Sequence, residues 1–310
     1  MRRTDEAVAA DDATARDLPL VSVVVPTRNS EAHLAQCLDA VAAQTYPSIE
    51  LIVVDNHSSD SSLEIAARYT DKVFTKGPER TSQLNFGFGL AAGKYVYYTG
   101  SDLWSDADLV EQAVRRCEED GFDAVYMNVV TDASEPNLWQ RVRALERRCY
   151  YKEPGMSAAR FYRKEVIETL GGLDESLSGV SDDLEFQHRI DVAGFRTAFI
   201  DADEHNLAEY DSLGTIVARS LYYGSQIRGY MNKHPDHTKR QYRLVRSEFV
   251  KNKDLLLRDK RLFAAFVAYK SVQYAAAAAG MVIARAPRGA DHIQSAVYRW
   301  NYGRSRTGAS

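Results

Sequence analysis

Between residues 20 and 200, short apolar runs alternate with stretches of helical period. VSVVVP (21–26) is apolar, β-branched and closed by Pro26, the pattern of a buried strand. EAHLAQCLDAVAAQ (31–44) sets Leu34, Cys37, Leu38 and Val41 at helical spacing. The alternation continues through a strand at ELIVVD (50–55), a helix at SSLEIAARY (61–69) and a strand at KVFTK (72–76). A glycine-loosened helix at TSQLNFGFGLAAG (81–93) follows, then a strand at KYVYYT (94–99). DADLVEQAVRRCEED (106–120) puts Leu109, Ala113 and Cys117 on one helical face, and DAVYMNVV (123–130) is a fifth strand. Such alternation predicts an α/β fold, with right-handed βαβ units on a largely parallel sheet. Ligands of such sheets bind at the carboxyl ends of the strands.

After Val130 the pattern changes. A helix is predicted from Asn137 to about Tyr151, then a glycine-broken loop. ARFYRKEVIETLGG (159–172) reads as a strand running into a helix, SDDLEFQHRIDVAG (181–194) as a helix and FRTAFID (195–201) as the last strand. From Ser212 onward only helices are predicted. LFAAFVAYKSVQYAAAAAGMVIAR (262–285) is apolar but interrupted by Lys270 and Gln273. A spanning helix needs about 20 mostly apolar residues, and five consecutive alanines make this one weakly hydrophobic. It reads first as an interfacial or oligomer-forming helix, ahead of packing on the α/β body or crossing a membrane. The expected organisation is a disordered polar tail at 1–18, an α/β domain at 19–210 and a helical extension at 211–310.

Charge sharpens that division. Residues 211–310 hold 18 Lys/Arg against 6 Asp/Glu, a net +12, so the first 210 residues carry −16 of the total −4. A basic extension on an acidic body suits nucleic acid, an anionic membrane surface or a phosphorylated lipid, unless it is only a solvated helical face. The 3 cysteines are far apart, so neither a disulfide framework nor a zinc site follows, and a reducing compartment is expected. The N-terminal MRRTDEAVAADDATARD has no apolar run of signal-peptide type, which adds to a cytoplasmic expectation.

Polar groups collect where the strands end. PTRNS (26–30) offers the hydroxyl, guanidinium and amide of Thr27, Arg28 and Asn29, or else a helix cap from Asn29 or Ser30. VVDNHSSD (53–60) ends a strand on Asp55, a carboxylate able to accept from a base N–H or a ribose hydroxyl, or else to close an Asx-turn. TGSD (99–102) presents Asp102, a hard oxygen ligand for Mg²⁺ or Mn²⁺, or else a turn residue. Such an ion would bridge the phosphates of a nucleotide diphosphate.

In this order, the PTRN turn, VVDNHSSD and NFGFGLAAGKYVYYTGSD resemble family 2 glycosyltransferases, over about residues 20–205. The resemblance implies a GT-A fold, a Rossmann-like, mostly parallel sheet flanked by helices. It implies that Pro26, Thr27, Arg28, Asn29 and Asp55 hold a uridine base and ribose, with Arg80 near base and diphosphate. Asn85, which corresponds to the Asn of the family's N-x-G element, would join Ser101 and Asp102 in contacting the nucleotide sugar, and Asp102 corresponds to the metal-binding Asp of D-x-D. Two departures stand out. Gly100 occupies the first Asp position of D-x-D, where Ser101 would partly substitute, and Asn56 and His57 replace the second Asp and the Gly of V-D-D-G-S. GVSDDLEFQHRIDVAGF (179–195) resembles the segment that carries the family's catalytic base. Asp183 aligns with that base and Asp182 is its neighbour, in a helix's first turn where the macrodipole favours the ionised form. His205 would lie near the metal or diphosphate. Trp104 and Trp139 read as core residues before sugar-stacking ones. The resemblance thus implies an inverting transfer from a nucleotide-diphosphate sugar, UDP-linked, to a hydroxyl or lipid phosphate of a glycan or lipid-linked acceptor. The basic extension would then meet an anionic membrane surface rather than nucleic acid, and the alanine-rich helix could pair with a second copy.

Overall fold

The computed structural model describes residues 18–177, 182–209, 212–233, 246–286 and Ile293. The predicted tail, residues 178–181 and most of the basic sequence beyond 286 lie outside the described residues.

The α/β part runs β1 (Val21–Thr27), α1 (Leu34–Ala42), β2 (Ile49–Asp55), α2 (Ser62–Ala66), β3 (Val73–Thr75), α3 (Arg80–Leu90) and β4 (Tyr95–Tyr98). It continues with β5 (Leu103–Ser105), α4 (Leu109–Glu118), β6 (Ala124–Thr131), α5 (Leu138–Tyr150), β7 (Ala159–Arg163), α6 (Lys164–Leu170), α7 (Asp182–Ala193) and β8 (Thr197–Asn206). The helices α8 (Leu213–Lys233), α9 (Ser247–Lys251), α10 (Lys253–Leu257) and α11 (Lys260–Ile283) follow.

All eight strands form one sheet, in the order β3-β2-β1-β4-β7-β6-β8-β5. The β3-β2-β1-β4 half is parallel, as the alternation predicts, and so is β6 with β8. Two strands depart from it. β7 runs antiparallel between β4 and β6, and the three-residue β5 pairs antiparallel with β8. β5 is too short to show a period. β8 extends five residues past the predicted end because its buried side includes Glu204, which hides the apolar alternation.

β1 shows how the sheet is sandwiched. Val21, Val23 and Val25 pack with Leu34 and Leu38 of α1 and Val110 and Ala113 of α4. Val24 faces the other side, with Leu84 and Phe88 of α3, Val166 of α6 and Phe186 of α7. α3 comes so close to the sheet that a Cβ on Gly87 would overlap the Val24 side chain. That is one reason for the glycine spacing read in NFGFG.

A third core joins Val142, Leu145 and Cys149 of α5 to Ile216, Leu256, Phe266 and Tyr269 of the C-terminal helices. α11 lies against α8 with backbones almost touching: a Cβ on Gly224 would strike the Ala277 backbone, and one on Gly280 that of Leu221. The extension is therefore fastened to the α/β body. Lys270, read as a break in an apolar run, sits in this core and reaches the buried Glu146 of α5, Nζ to Oε1 at 2.9 Å. The first reading of 262–285, an interfacial helix, gives way to a helix with one face packed inside the protein. Val267, Val282 and Ile283 stay exposed on it. No helix among the described residues is long and apolar enough to cross a membrane.

Candidate active site

The sheet's register gathers the predicted motifs. Thr27 pairs with Asp55 across β1 and β2. Val24 pairs with Tyr98 across β1 and β4, and the Thr99 amide donates to the Val24 carbonyl at 3.2 Å. The chain therefore carries 99–102 out beside the end of β1. Ser30 and Ser101 meet there, hydroxyl to hydroxyl, at 2.8 Å.

Each turn is held by its neighbour. Asn29 adopts a left-handed φ of 47°, its amide donates to Ser58 Oγ at 2.8 Å, and its Oδ1 accepts from the Ser59 amide at 2.8 Å. Asp55 is fully buried, and its carboxylate accepts from the Ser58 amide at 2.8 Å and the Ser58 hydroxyl at 2.5 Å. The Asx-turn alternative read at Asp55 is thus present. Asn56, the departure from V-D-D-G-S, donates through Nδ2 to the Pro78 carbonyl and so ties the second turn to the approach to α3. Gln83 was not read as a site residue, yet its Nε2 donates to the carbonyls of Thr27 at 3.0 Å and Val54 at 2.6 Å. It braces both strand ends from beneath. Nothing local in the sequence marks it, because its partners are 56 and 29 residues away.

Asp102 stands half-buried at the tip of the third turn, and its carbonyl accepts from the Leu207 amide at 2.9 Å. A Cβ on Gly100 would sit 2.7 Å from Asp102 Oδ1. Gly100 therefore gives the Asp102 carboxylate its space. His205 is not free to share a metal through both ring nitrogens. Its Nε2 lies 2.9 Å from Asp106 Oδ1 and its ring stacks on Trp104 with centroids 3.8 Å apart. Trp104 in turn donates to Asp132 Oδ2 at 2.6 Å, and Trp139 packs against the α5 core. Among the described residues no three His, Cys, Asp or Glu side chains come together to hold a metal. Asp102 still fits Mg²⁺ or Mn²⁺ as one hard oxygen donor, since Mg²⁺ is commonly held by one or two carboxylates with phosphates and water.

Asn85 stands apart from the strand ends. Its Nδ2 donates to the Leu173 carbonyl at 2.9 Å and to Glu175 at 3.0 Å, and its Oδ1 accepts from the Leu173 amide at 2.8 Å. This amide clamps the loop after α6 to α3, a holding role in place of the ligand contact implied by the resemblance.

The two adjacent carboxylates of α7 part company. Asp182 is buried and receives Arg80 Nη2 at 2.8 Å. Burial pushes its carboxyl above the usual value, and the Arg80 guanidinium only partly reverses this. Arg80 also lies 5.8 Å from the Tyr98 ring centroid. Asp183 instead lines a cavity of about 200 Å³ together with Asn128, Arg143, Arg147, Tyr150 and Arg160. Arg160 lies 5.9 Å from the same Tyr98 ring and donates to Glu204 at 2.6 Å. Glu204 is fully buried and also accepts from Tyr97 and Thr99, each at 2.8 Å. Sequence reasoning missed this pair, since an Arg and a Glu 44 residues apart look like surface charges. Arg80, Tyr98 and Arg160 thus run from the Asp182 side to the Asp183 side of the site.

Comparison with known proteins agrees with the geometry. Residues 22–171 match the model for glycosyl transferase family 2. A PGL/p-HBAD biosynthesis glycosyltransferase of Mycobacterium bovis is 30% identical over 162 residues, 49% of this chain and 62% of that protein. The putative glycosyltransferase EpsH of Bacillus subtilis is 27% identical over 170 residues, 49% of each. The chain spans less than two thirds of the length of these curated relatives. Among solved structures, the mannosyltransferase PcManGT of Pyrobaculum calidifontis, with GDP-Man and Mn²⁺, has a TM-score of 0.52 and 19% identity, covering 94% of this chain and 84% of that one. TarS of S. aureus has a TM-score of 0.51 and 17% identity, covering 86% of this chain and 54% of that one. At such identities the structural likeness concerns the fold, a mostly parallel sheet flanked by helices as in GT-A glycosyltransferases.

Proposed function

With residues 22–171 matching the model for glycosyl transferase family 2, we propose that this chain is an inverting glycosyltransferase that uses a nucleotide-diphosphate sugar, UDP-linked, as donor. The observation that carries the reading is the split between Asp182 and Asp183: one is tied to Arg80, the other lines a cavity. A base has to reach the acceptor's proton, and the opening of Asp183 to that cavity supports its assignment as the base.

In this reading Thr27, Arg28, Asn29 and Asp55 receive base and ribose at the ends of β1 and β2. Arg80 holds Asp182 and lends positive charge on the donor side. Asp183 accepts the proton of the attacking acceptor hydroxyl as the sugar's bond to the diphosphate breaks. Asp102 would hold Mg²⁺ or Mn²⁺, which when bound neutralises charge on the departing diphosphate. The acceptor is a hydroxyl or a lipid phosphate in cell-surface polysaccharide or glycolipid assembly, a reading supported by the relative named for PGL/p-HBAD biosynthesis. The basic C-terminal region would lie against an anionic membrane surface, on the cytoplasmic side.

A metal-free donor site is the second reading. It is favoured by the absence, among the described residues, of a three-ligand cluster around Asp102. Calorimetric titration with UDP, in Mn²⁺ and then in EDTA, tests both. The first reading expects binding that Mn²⁺ strengthens and Asp102→Ala removes. Binding indifferent to both changes would establish the second, and no binding in either condition would overturn the uridine assignment.

A further inference from the structure

We propose that the cavity beside Asp183 is an acceptor subsite that selects an anionic acceptor, recognising a carboxylate or phosphate on it through Arg143, Arg147 and Arg160. The proposal rests on the transferase reading for the word acceptor, and on the charges around the cavity for the word anionic.

Positive groups predominate among the charges that face inward. The charged residues lining the cavity are the three arginines and Asp183. The carboxylates that hold the arginines are not in the lining. Glu209 accepts from Arg147 Nε at 2.7 Å and from Arg143 Nε at 3.3 Å, Glu146 from Arg143 Nη1 at 2.6 Å, and Glu204 from Arg160 Nη1 at 2.6 Å. These holders are 0–3% exposed, while the arginines keep 14–21% of their side chains open. The anions therefore lie behind and the guanidiniums in front. Buried ion pairs add little stability of their own. They do fix the orientation of a guanidinium, and a pre-oriented guanidinium is suited to carboxylate or phosphate.

Two elements supply the arginines: α5 gives Arg143 and Arg147, and β7 gives Arg160. Glu209 follows β8 and its Oε2 also receives the Thr131 hydroxyl at 2.9 Å, so the cation wall is braced by the end of β6. The cavity, at about 200 Å³, is smaller than the ~300–1,000 Å³ of drug-sized sites. It takes one sugar ring or head group. Such a group, held by its negative charge, would bring a hydroxyl of the same molecule near Asp183. Tyr150 and Tyr151 add aromatic surface to the wall, as a sugar ring requires.

The test uses the full chain with saturating UDP and Mn²⁺, so that the donor side is filled. Glucuronate, glucose 6-phosphate and glucose are titrated calorimetrically. The expected result is at least tenfold tighter binding of the anionic sugars than of glucose. Arg147→Gln alone leaves Glu209 with Arg143 as its remaining cation, so it is paired with the double variant Arg147→Gln with Glu209→Gln, which removes one charge of each sign. The double variant should keep UDP affinity and lose most of the preference. Equal affinity for all three sugars, no binding of any, or a preference unchanged in the double variant would overturn the proposal. Should UDP itself fail to bind, that counts against the transferase reading, and the preference among the sugars is then decided on the chain without UDP.

Discussion

At the scale of single residues, the donor side turns on how Asp102 is given room. Gly100 looks in the sequence like a lost carboxylate. In the structure its missing Cβ is the space beside Asp102 Oδ1, 2.7 Å away. Any side chain at 100 pushes the carboxylate aside. Gly100→Ala should therefore weaken UDP binding in Mn²⁺ by about tenfold, roughly 1.4 kcal/mol, and leave binding in EDTA unchanged. Equal affinity of variant and parent in Mn²⁺ would show that the Asp102 carboxylate takes no part. Much at this scale was legible. Thr27, Asp55 and Asp102 fall on strand ends, and a strand end is visible as the place where an apolar run stops. Residues that act across long sequence separations were not. Gln83, Arg160 and Glu204 carry no local signature, and Asn85 reads as a motif residue although its partner is the backbone of Leu173.

The elements follow from hydrophobic period with little ambiguity where a strand has both faces buried, as β1 and β2 do. β5 and the second half of β8 escape because three residues show no period and because Glu204 faces inward. α11 is the instructive helix. Lys270 breaks its apolar pattern, and the break is a buried ion pair with Glu146 at 2.9 Å. Removing Lys270 leaves the buried Glu146 with Arg143 as its remaining cation, so Lys270→Met should destabilise the chain by about 1.5–3 kcal/mol, the range of a hydrogen bond to a charged group, read as a lower urea midpoint. A loss under about 0.5 kcal/mol, within the range of ordinary surface substitutions, would show that water reaches Glu146. Acid should act on the same network. Burial alone would raise the Glu146 and Glu209 carboxyls, but the charges of Lys270, Arg143 and Arg147 outweigh it and hold both below their usual value. The unfolded chain then binds more protons as pH falls below about 4.3. The stabilisation is complete above that pH and should fade below it, as denaturation midpoints measured between pH 7 and pH 3 can show. A midpoint constant down to pH 3 would contradict this.

The molecule as a whole is polar in its charge. Its +12 and −16 halves were plain in the sequence, but the joint between them was not. The third core, which joins α5 to the C-terminal helices, makes the extension part of the body. Two of the three arginines of the proposed acceptor wall, Arg143 and Arg147, lie on α5, which packs against both. An extension with a net charge of +12 suits an anionic membrane surface. The chain should sediment with vesicles containing phosphatidylglycerol, not with pure phosphatidylcholine, and 0.5 M salt should release it, since screening at that strength is strong. Equal sedimentation with both vesicles would mean that the charge has another use. The central claim, that Asp183 is the base of a nucleotide-sugar transferase, is tested most directly by Asp183→Asn. The measurement is UDP release from a panel of UDP-sugars, set beside UDP affinity. The account predicts unchanged UDP affinity with turnover reduced by about 10²–10⁴. Turnover that survives the substitution would contradict it.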